Sequence, residues 1–311
     1  LNQQARQPID AAAAERPSTV SPGTAYLFAA AAMIVYSSPP VVTRAVYLSV
    51  PPLALSLSRW AIALVVLLPL AWRRLPREWP KVKRQWPSLV FVASLMVAGS
   101  TMSVLAVYFT TATNAVLVNA SQPAITATMA WAIGRMRLAP TQRIGIACAF
   151  AGIVVMIARA DLNVLLGLEL NIGDLIMLLA VIGWSSYAVL LPRRDYIPDG
   201  ITLMFVIALT GTVLLAPASL IEAAYAKPFE LQGEVLGAML YLAIFPTLLA
   251  TTAWNVAIRS IGPNRTAIFV NLIPVAGAAM ATLFLGEQLH TYHLIGAAFV
   301  LVGIWLAVRR R

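Results

Sequence analysis

Trp184, Ser185, Ser186 and Tyr187 stand together in the middle of the apolar stretch 173–192. An indole stacks on apolar or flat groups, and hydroxyls donate and accept hydrogen bonds. The set therefore suits noncovalent recognition of a small molecule, or helix packing, which small serines also favour. Tyr36, Ser37 and Ser38 repeat the theme in the outer part of the stretch 24–43 and run into Pro39 and Pro40. Two prolines remove two backbone donors, so the helix must kink or break there, as a hinge or gate or as an irregular helix end. Asn119, Ser121 and Gln122 precede Pro123, and Asn271 precedes Pro274. Each proline frees a carbonyl one turn earlier, which the amides either satisfy or leave while they face a ligand. Arg59 is the one basic residue well inside an apolar stretch. A charge at that depth snorkels to the interface, meets a gate partner, or contacts a substrate carboxylate. Tyr108, Tyr241, Trp254 and Asn255, with the hydroxyl patch Ser100, Thr101 and Ser103, either line the same space or pack.

Covalent chemistry is not indicated. No nucleophile, base and metal-ligand set lies within the apolar stretches, and no G-x-x-x-x-G-K-[ST] phosphate loop is present. Cys148 is a single cysteine inside an apolar stretch and reads as a packing residue. His290 and His293 share a helix spacing but read as a solvated turn rather than a metal site. No cofactor, metal or ATPase subunit is called for.

The elements that position these residues follow from composition. The 311 residues are 60% hydrophobic and 11% charged, with mean hydropathy +0.82, whereas soluble domains carry about 25% charged residues. Ten apolar stretches, 24–43, 52–72, 88–109, 113–134, 141–158, 173–192, 201–222, 235–257, 264–285 and 291–308, follow one another with short breaks. Each suits a membrane span, and helices satisfy their own backbone in lipid. The expected fold is an all-α membrane protein of ten transmembrane helices. The net charge of +10 does not indicate nucleic acid, because the basic residues sit in loops between spans. With the N-terminus in the cytoplasm, eighteen of the 22 Lys and Arg fall on cytoplasmic segments and three on outer ones, with Arg59 inside a span. That asymmetry puts both termini in the cytoplasm.

The chain also repeats itself. Pro123, Gly145 and Gly152 recur 151 residues later as Pro274, Gly296 and Gly303. Tyr36-Ser37-Ser38 recurs 148 residues later as Trp184-Ser185-Ser186, and Pro69 as Pro217. The expected organisation is a disordered tail 1–23, a first five-helix repeat 24–159, an outer linker 160–172 and a second repeat 173–311. Five spans is an odd number, so the second repeat enters the membrane inverted. Two inverted repeats around a central cavity permit alternating access.

These residues resemble the drug/metabolite transporter superfamily in its EamA group. The resemblance is carried by Pro274, Leu285-Gly286-Glu287-Gln288-Leu289, Gly296 and Gly303 in the second half, and by Arg59, Pro123, Gly145 and Gly152 in the first. Gly173-Asp174, opening the span that leads to Trp184, completes it, and the likeness covers residues 24–308. It implies a secondary transporter of the bacterial cytoplasmic (inner) membrane that exports small metabolites. Amino acids, aromatic and other neutral ones, are the first expectation. Multidrug or organic-cation efflux and a lipid-linked sugar flippase are the alternatives. No acid lies deep in a span, which fits a zwitterionic substrate better than a cation. The expected substrate-binding residues are Trp184, Tyr187, Ser185, Ser38, Tyr108, Asn119, Gln122, Trp254 and Asn271. Pro39, Pro40, Arg59, Pro123, Pro274 and Glu287 are the expected gating residues. The first-half counterpart of Glu287 is Met136, between Arg135 and Arg137. The expected partners are the small-molecule substrate and membrane lipid, without nucleic acid, and the expected state is a monomer or weak dimer.

Overall fold

The structure is a computed structural model that describes residues 20–110, 115, 118–134, 138–158, 171–194, 197–226, 229–285 and 290–308. The tail before residue 20, most of the linker 160–172, Met136 and Glu287 lie outside the described residues. The described residues are helical throughout their regular elements, with no strand among them.

Local chemistry explains where the helices start and stop. α1 (Pro22–Tyr36) begins at Ser21, whose side chain accepts from the Thr24 N–H at 3.2 Å, with proline in the first turn. It ends at Ser37, and α2 (Pro39–Val46) restarts at the proline pair, so the break expected from Pro39 and Pro40 is present. α3 (Pro52–Arg84) begins where both carboxylate oxygens of Glu222 accept from the Leu53 and Ala54 N–H groups, at 3.1 and 2.9 Å. Its 33 residues run past the expected end at 72, for a length of about 50 Å against a hydrocarbon core of about 30 Å. The basic segment read as a loop is thus helical. Its far end is held by Val82, which packs against Leu89 and Val206. α4 (Trp86–Phe109) follows directly.

α5 (Gln122–Gly134) and α6 (Pro140–Ala158) complete the first half. α7 (Ile172–Leu190) opens with a capping box between Asn171 and Asp174 and ends in a 3-10 turn, Leu191–Arg193. α8 (Gly200–Tyr225) is capped by Asp199, which accepts from the Thr202 N–H at 2.8 Å. The next span is not a plain α-helix. α9 (Gly233–Leu242) passes into a π-helical turn, Ala243–Ala250, and then α10 (Thr251–Ile261). Pro246 lacks an N–H for the Leu242 carbonyl. The Thr247 hydroxyl donates to that carbonyl instead, at 2.8 Å, and the Thr251 hydroxyl donates to the Pro246 carbonyl at 3.1 Å. Gly262, at φ +82°, ends α10 in a conformation that other residues rarely adopt. α11 (Pro263–Ile268) continues through a 3-10 turn, Phe269–Asn271, into α12 (Leu272–Leu285). The irregularity lies where the Pro274 ring would crowd the Val270 carbonyl. α13 (Thr291–Val308) is last. Among the described residues, six helices are long and apolar enough to cross a membrane, and two shorter apolar ones, 140–156 and 291–307, accompany them.

The helices pair across the two halves: α1 with α10, α3 with α8, α4 with α7, α5 with α11 and α6 with α13. The α6–α13 crossing shows the symmetry atom by atom. A Cβ on Gly145 would fall 2.5 Å from the Gly303 oxygen, and one on Gly152 would fall 2.5 Å from the Gly296 oxygen. The reverse distances, from Gly303 to Gly145 and from Gly296 to Gly152, are both 2.6 Å. Gly145 corresponds to Gly296 and Gly152 to Gly303, so each contact is the symmetry mate of the other. That reciprocity defines a two-fold relation between antiparallel helices. Small residues at such crossings let backbones meet in lipid.

Candidate functional site

Tyr36 and Trp184 occupy matching positions of the two repeats, and their rings touch edge to face with centroids 5.8 Å apart. Residues exchanged by a two-fold axis can touch only if they straddle it. The pair therefore marks the axis. α1 breaks immediately after Tyr36, and the α4–α7 crossing seats Trp184. A Cβ on Gly99 would lie 2.9 Å from the indole Cδ1 and 3.0 Å from the Trp184 nitrogen.

Around this pair are hydroxyls and one charge. Tyr36 OH lies 2.6 Å from Thr251 Oγ1. Thr251 gives its single hydroxyl proton to the Pro246 carbonyl, so Tyr36 is the donor. Arg59 is 6% exposed. Its Nε donates to Thr247 Oγ1 at 3.2 Å, and Nη2 donates to Ser100 Oγ at 3.0 Å. Both partners are neutral. The π turn is what presents Thr247 to Arg59 and Thr251 to Tyr36. Such turns recur at functional sites because they re-aim side chains. The cluster thus draws Tyr36, Arg59 and Ser100 from the first half and Trp184, Thr247 and Thr251 from the second.

The other candidates are distributed as follows. Tyr187 is fully buried and donates to Asn255 Oδ1 at 2.7 Å. Ser185, also sealed, accepts from Thr126 at 2.9 Å. Ser38 donates to the Val35 carbonyl at 2.7 Å, so Tyr241, 2.7 Å away, donates to Ser38. Tyr108 is outside the cluster, bonded to the Val50 carbonyl at 2.9 Å and packed on Tyr47. Trp254 and Asn271 are buried, each 1% exposed. The indole nitrogen of Trp254 and both amide atoms of Asn271 have no hydrogen-bond partner among the described residues. Gln122 and Pro123 are buried at the start of α5. Asn119 and Pro274 line a cavity of about 10 Å³ with Ala120, Ile153, Val270 and Ile273, room for about one water. Asn119 and Val270 are themselves repeat-related, so this cavity too sits on the axis. Pro39 and Pro40 begin α2.

Sequence reasoning missed Thr247 and Thr251. The available signal was Pro246-Thr247 inside an apolar span, with a second threonine one turn on.

Comparison with known proteins matches this architecture. The pattern of the EamA-like transporter family fits residues 23–158 and, a second time, 171–309. The chain is 29% identical over 204 residues to "Uncharacterized transporter YyaM" of Bacillus subtilis (strain 168), covering 64% of this chain and 65% of that one. The match therefore spans just under two thirds of that relative. "Uncharacterized transporter YetK" of the same organism is 25% identical over 297 residues, covering 92% of this chain and 87% of its own. A solved structure titled "Crystal structure of protein" superposes with a TM-score of 0.74 at 19% identity, over 92% of this chain and 97% of that chain. That likeness concerns the fold.

Proposed function

The chain belongs to the EamA-like transporter family, and from that premise we propose that it exports neutral amino acids, aromatic ones included, by alternating access. The observation that carries the reading is the meeting of Tyr36 and Trp184 on the axis beside hydroxyls and a buried cation. Substrate sites of inverted-repeat transporters lie near the midplane, where the repeats meet. The contact between repeat-related residues supports a site at that depth. An aromatic wall suits an apolar side chain, while hydroxyls and a guanidinium suit the polar end of an amino acid. The unpartnered buried atoms of Trp254 and Asn271 support the same reading, since such groups are costly unless they meet water or ligand at another stage of the cycle.

The work assigned to this site is binding and reorientation, not chemical conversion. The membrane is the bacterial inner membrane, with both termini in the cytoplasm on the charge asymmetry. Pro39, Pro40, Pro123 and Pro274 serve as hinges at the helix breaks.

Uptake of a panel of labelled amino acids into proteoliposomes, with and without an imposed pH gradient, tests this. Uptake of several without the gradient is expected, as for a facilitator or exchanger. Uptake of none under either condition sinks the amino-acid reading and leaves organic cations or lipid-linked substrates.

A further inference from the structure

We infer that Arg59 is the carboxylate receptor of the central site, so the cargo must carry an anionic group and organic amines without one are excluded. This rests on reading the Tyr36–Trp184 cluster as the substrate site.

Arg59 is a nearly sealed guanidinium whose two hydrogen bonds go to neutral hydroxyls. No carboxylate among the described residues lies within ion-pair distance of it; the ion pair they do form is Arg74 with Asp199. Three of the described acids are engaged elsewhere. Glu222 caps the start of α3, Glu78 accepts from the Asp199 backbone, and Asp174 belongs to the α7 capping box. A buried charge without a counter-charge is strongly disfavoured in a membrane, and hydroxyl oxygens solvate a cation without neutralising it. An anion arriving from water supplies what the site lacks.

The donors suit that guest. Arg59 Nη1 makes no hydrogen bond among the described residues. Ser100 Oγ accepts from Arg59 and keeps its own proton for a second acceptor. Guanidinium nitrogens and adjacent hydroxyl donors match the acceptor geometry of a carboxylate. The Trp184 ring beside them takes the apolar part of the same molecule. An organic cation would find a like charge and no acid among the described residues there.

The test uses purified full-length protein in proteoliposomes and four probes: L-phenylalanine, 3-phenylpropanoate, phenethylamine and tetraphenylphosphonium. Binding is measured by intrinsic tryptophan fluorescence and transport by flux. The expected result is that the first two bind wild type and the last two do not. Arg59→Gln should weaken both carboxylate probes at least tenfold, and Arg59→Lys should recover part of that loss. Phenethylamine binding as tightly as phenylalanine overturns the inference, as does unchanged phenylalanine affinity in Arg59→Gln. Failure of both carboxylate probes to bind wild type also overturns it. Should Arg59→Gln not fold, the probe series on wild type decides alone. The two readings fail separately. Phenylpropanoate flux without phenylalanine flux removes the amino-acid proposal and keeps Arg59. Phenylalanine flux indifferent to Arg59→Gln does the reverse.

Discussion

Trp184 and Tyr187 lie three residues apart on α7, yet their surroundings assign them different roles. Tyr187 is sealed, with its hydroxyl given to Asn255 Oδ1. Tyr187→Phe leaves that oxygen buried without a donor, which costs about 1–3 kcal/mol. The expected outcome is a lower unfolding temperature in detergent with an unchanged KM for transport; a raised KM would return Tyr187 to the substrate wall. Trp184 is only partly buried and meets Tyr36 across the axis. Edge-to-face pairing adds about 0.5–1.5 kcal/mol beyond area burial, little beside the stability of a bundle this size. Trp184→Ala should therefore abolish flux while expression and unfolding temperature stay close to wild type, and wild-type flux would remove it from the site. At this scale the sequence was half legible. A tryptophan away from the interface where tryptophans gather is visible in one dimension. That Tyr187 faces Asn255 depends on which side of α7 meets α10, which no spacing within α7 reveals.

Among the elements, the span Gly233–Ile261 departs furthest from expectation. Hydropathy reads it as one helix, because a π turn changes hydrogen-bond register without changing composition. The cause is a single residue, Pro246, with Thr247 and Thr251 bonding the carbonyls around it. Pro246→Ala restores the missing N–H and favours a continuous α-helix, relieving part of a penalty of about 3 kcal/mol. Thr247 and Thr251 would then rotate away from Arg59 and Tyr36. The expected outcome is a protein as stable as wild type or more so, with flux strongly reduced; normal flux would show that the site does not need the turn. The α6–α13 crossing is the opposite case, since its four glycines announce it by repetition. Gly152→Leu drives a side chain into the Gly296 backbone, and overpacking of this kind costs about 1–3 kcal/mol. A fall in unfolding temperature is expected, larger than for Gly237→Leu, where an added Cβ meets nothing within 4 Å.

At the scale of the whole molecule, inverted symmetry was readable because an odd number of spans per repeat leaves no other arrangement. Which side is shut was not, since both conformations satisfy the same sequence. The packing answers it for the side that the charge asymmetry assigns as outer. There Val46, Val50, Leu55 and Val104 of the first half are buried against Val235, Ala238, Met239 and Leu242 of the second. The Tyr241–Ser38 and Tyr36–Thr251 hydrogen bonds also join the halves, just inside this cluster. Opening outward must separate α2 from α9 and break the Tyr241–Ser38 bond. Ser56 lies one turn inside the start of α3, is 1% exposed, and has no hydrogen-bond partner for its hydroxyl among the described residues. A thiol there is a reporter that is hidden in this conformation. In a Cys148→Ser background, Ser56→Cys should react slowly with a membrane-impermeant maleimide added outside. Adding Tyr241→Phe removes a net bond of about 0.5–1.5 kcal/mol from the closed state alone, so the labelling rate should rise about two- to tenfold. If that rate is unchanged while the thiol remains reactive after unfolding, the Tyr241–Ser38 bond does not hold the outer side shut. The apolar cluster and the Tyr36–Thr251 bond must then do so, since Tyr241→Phe leaves both intact.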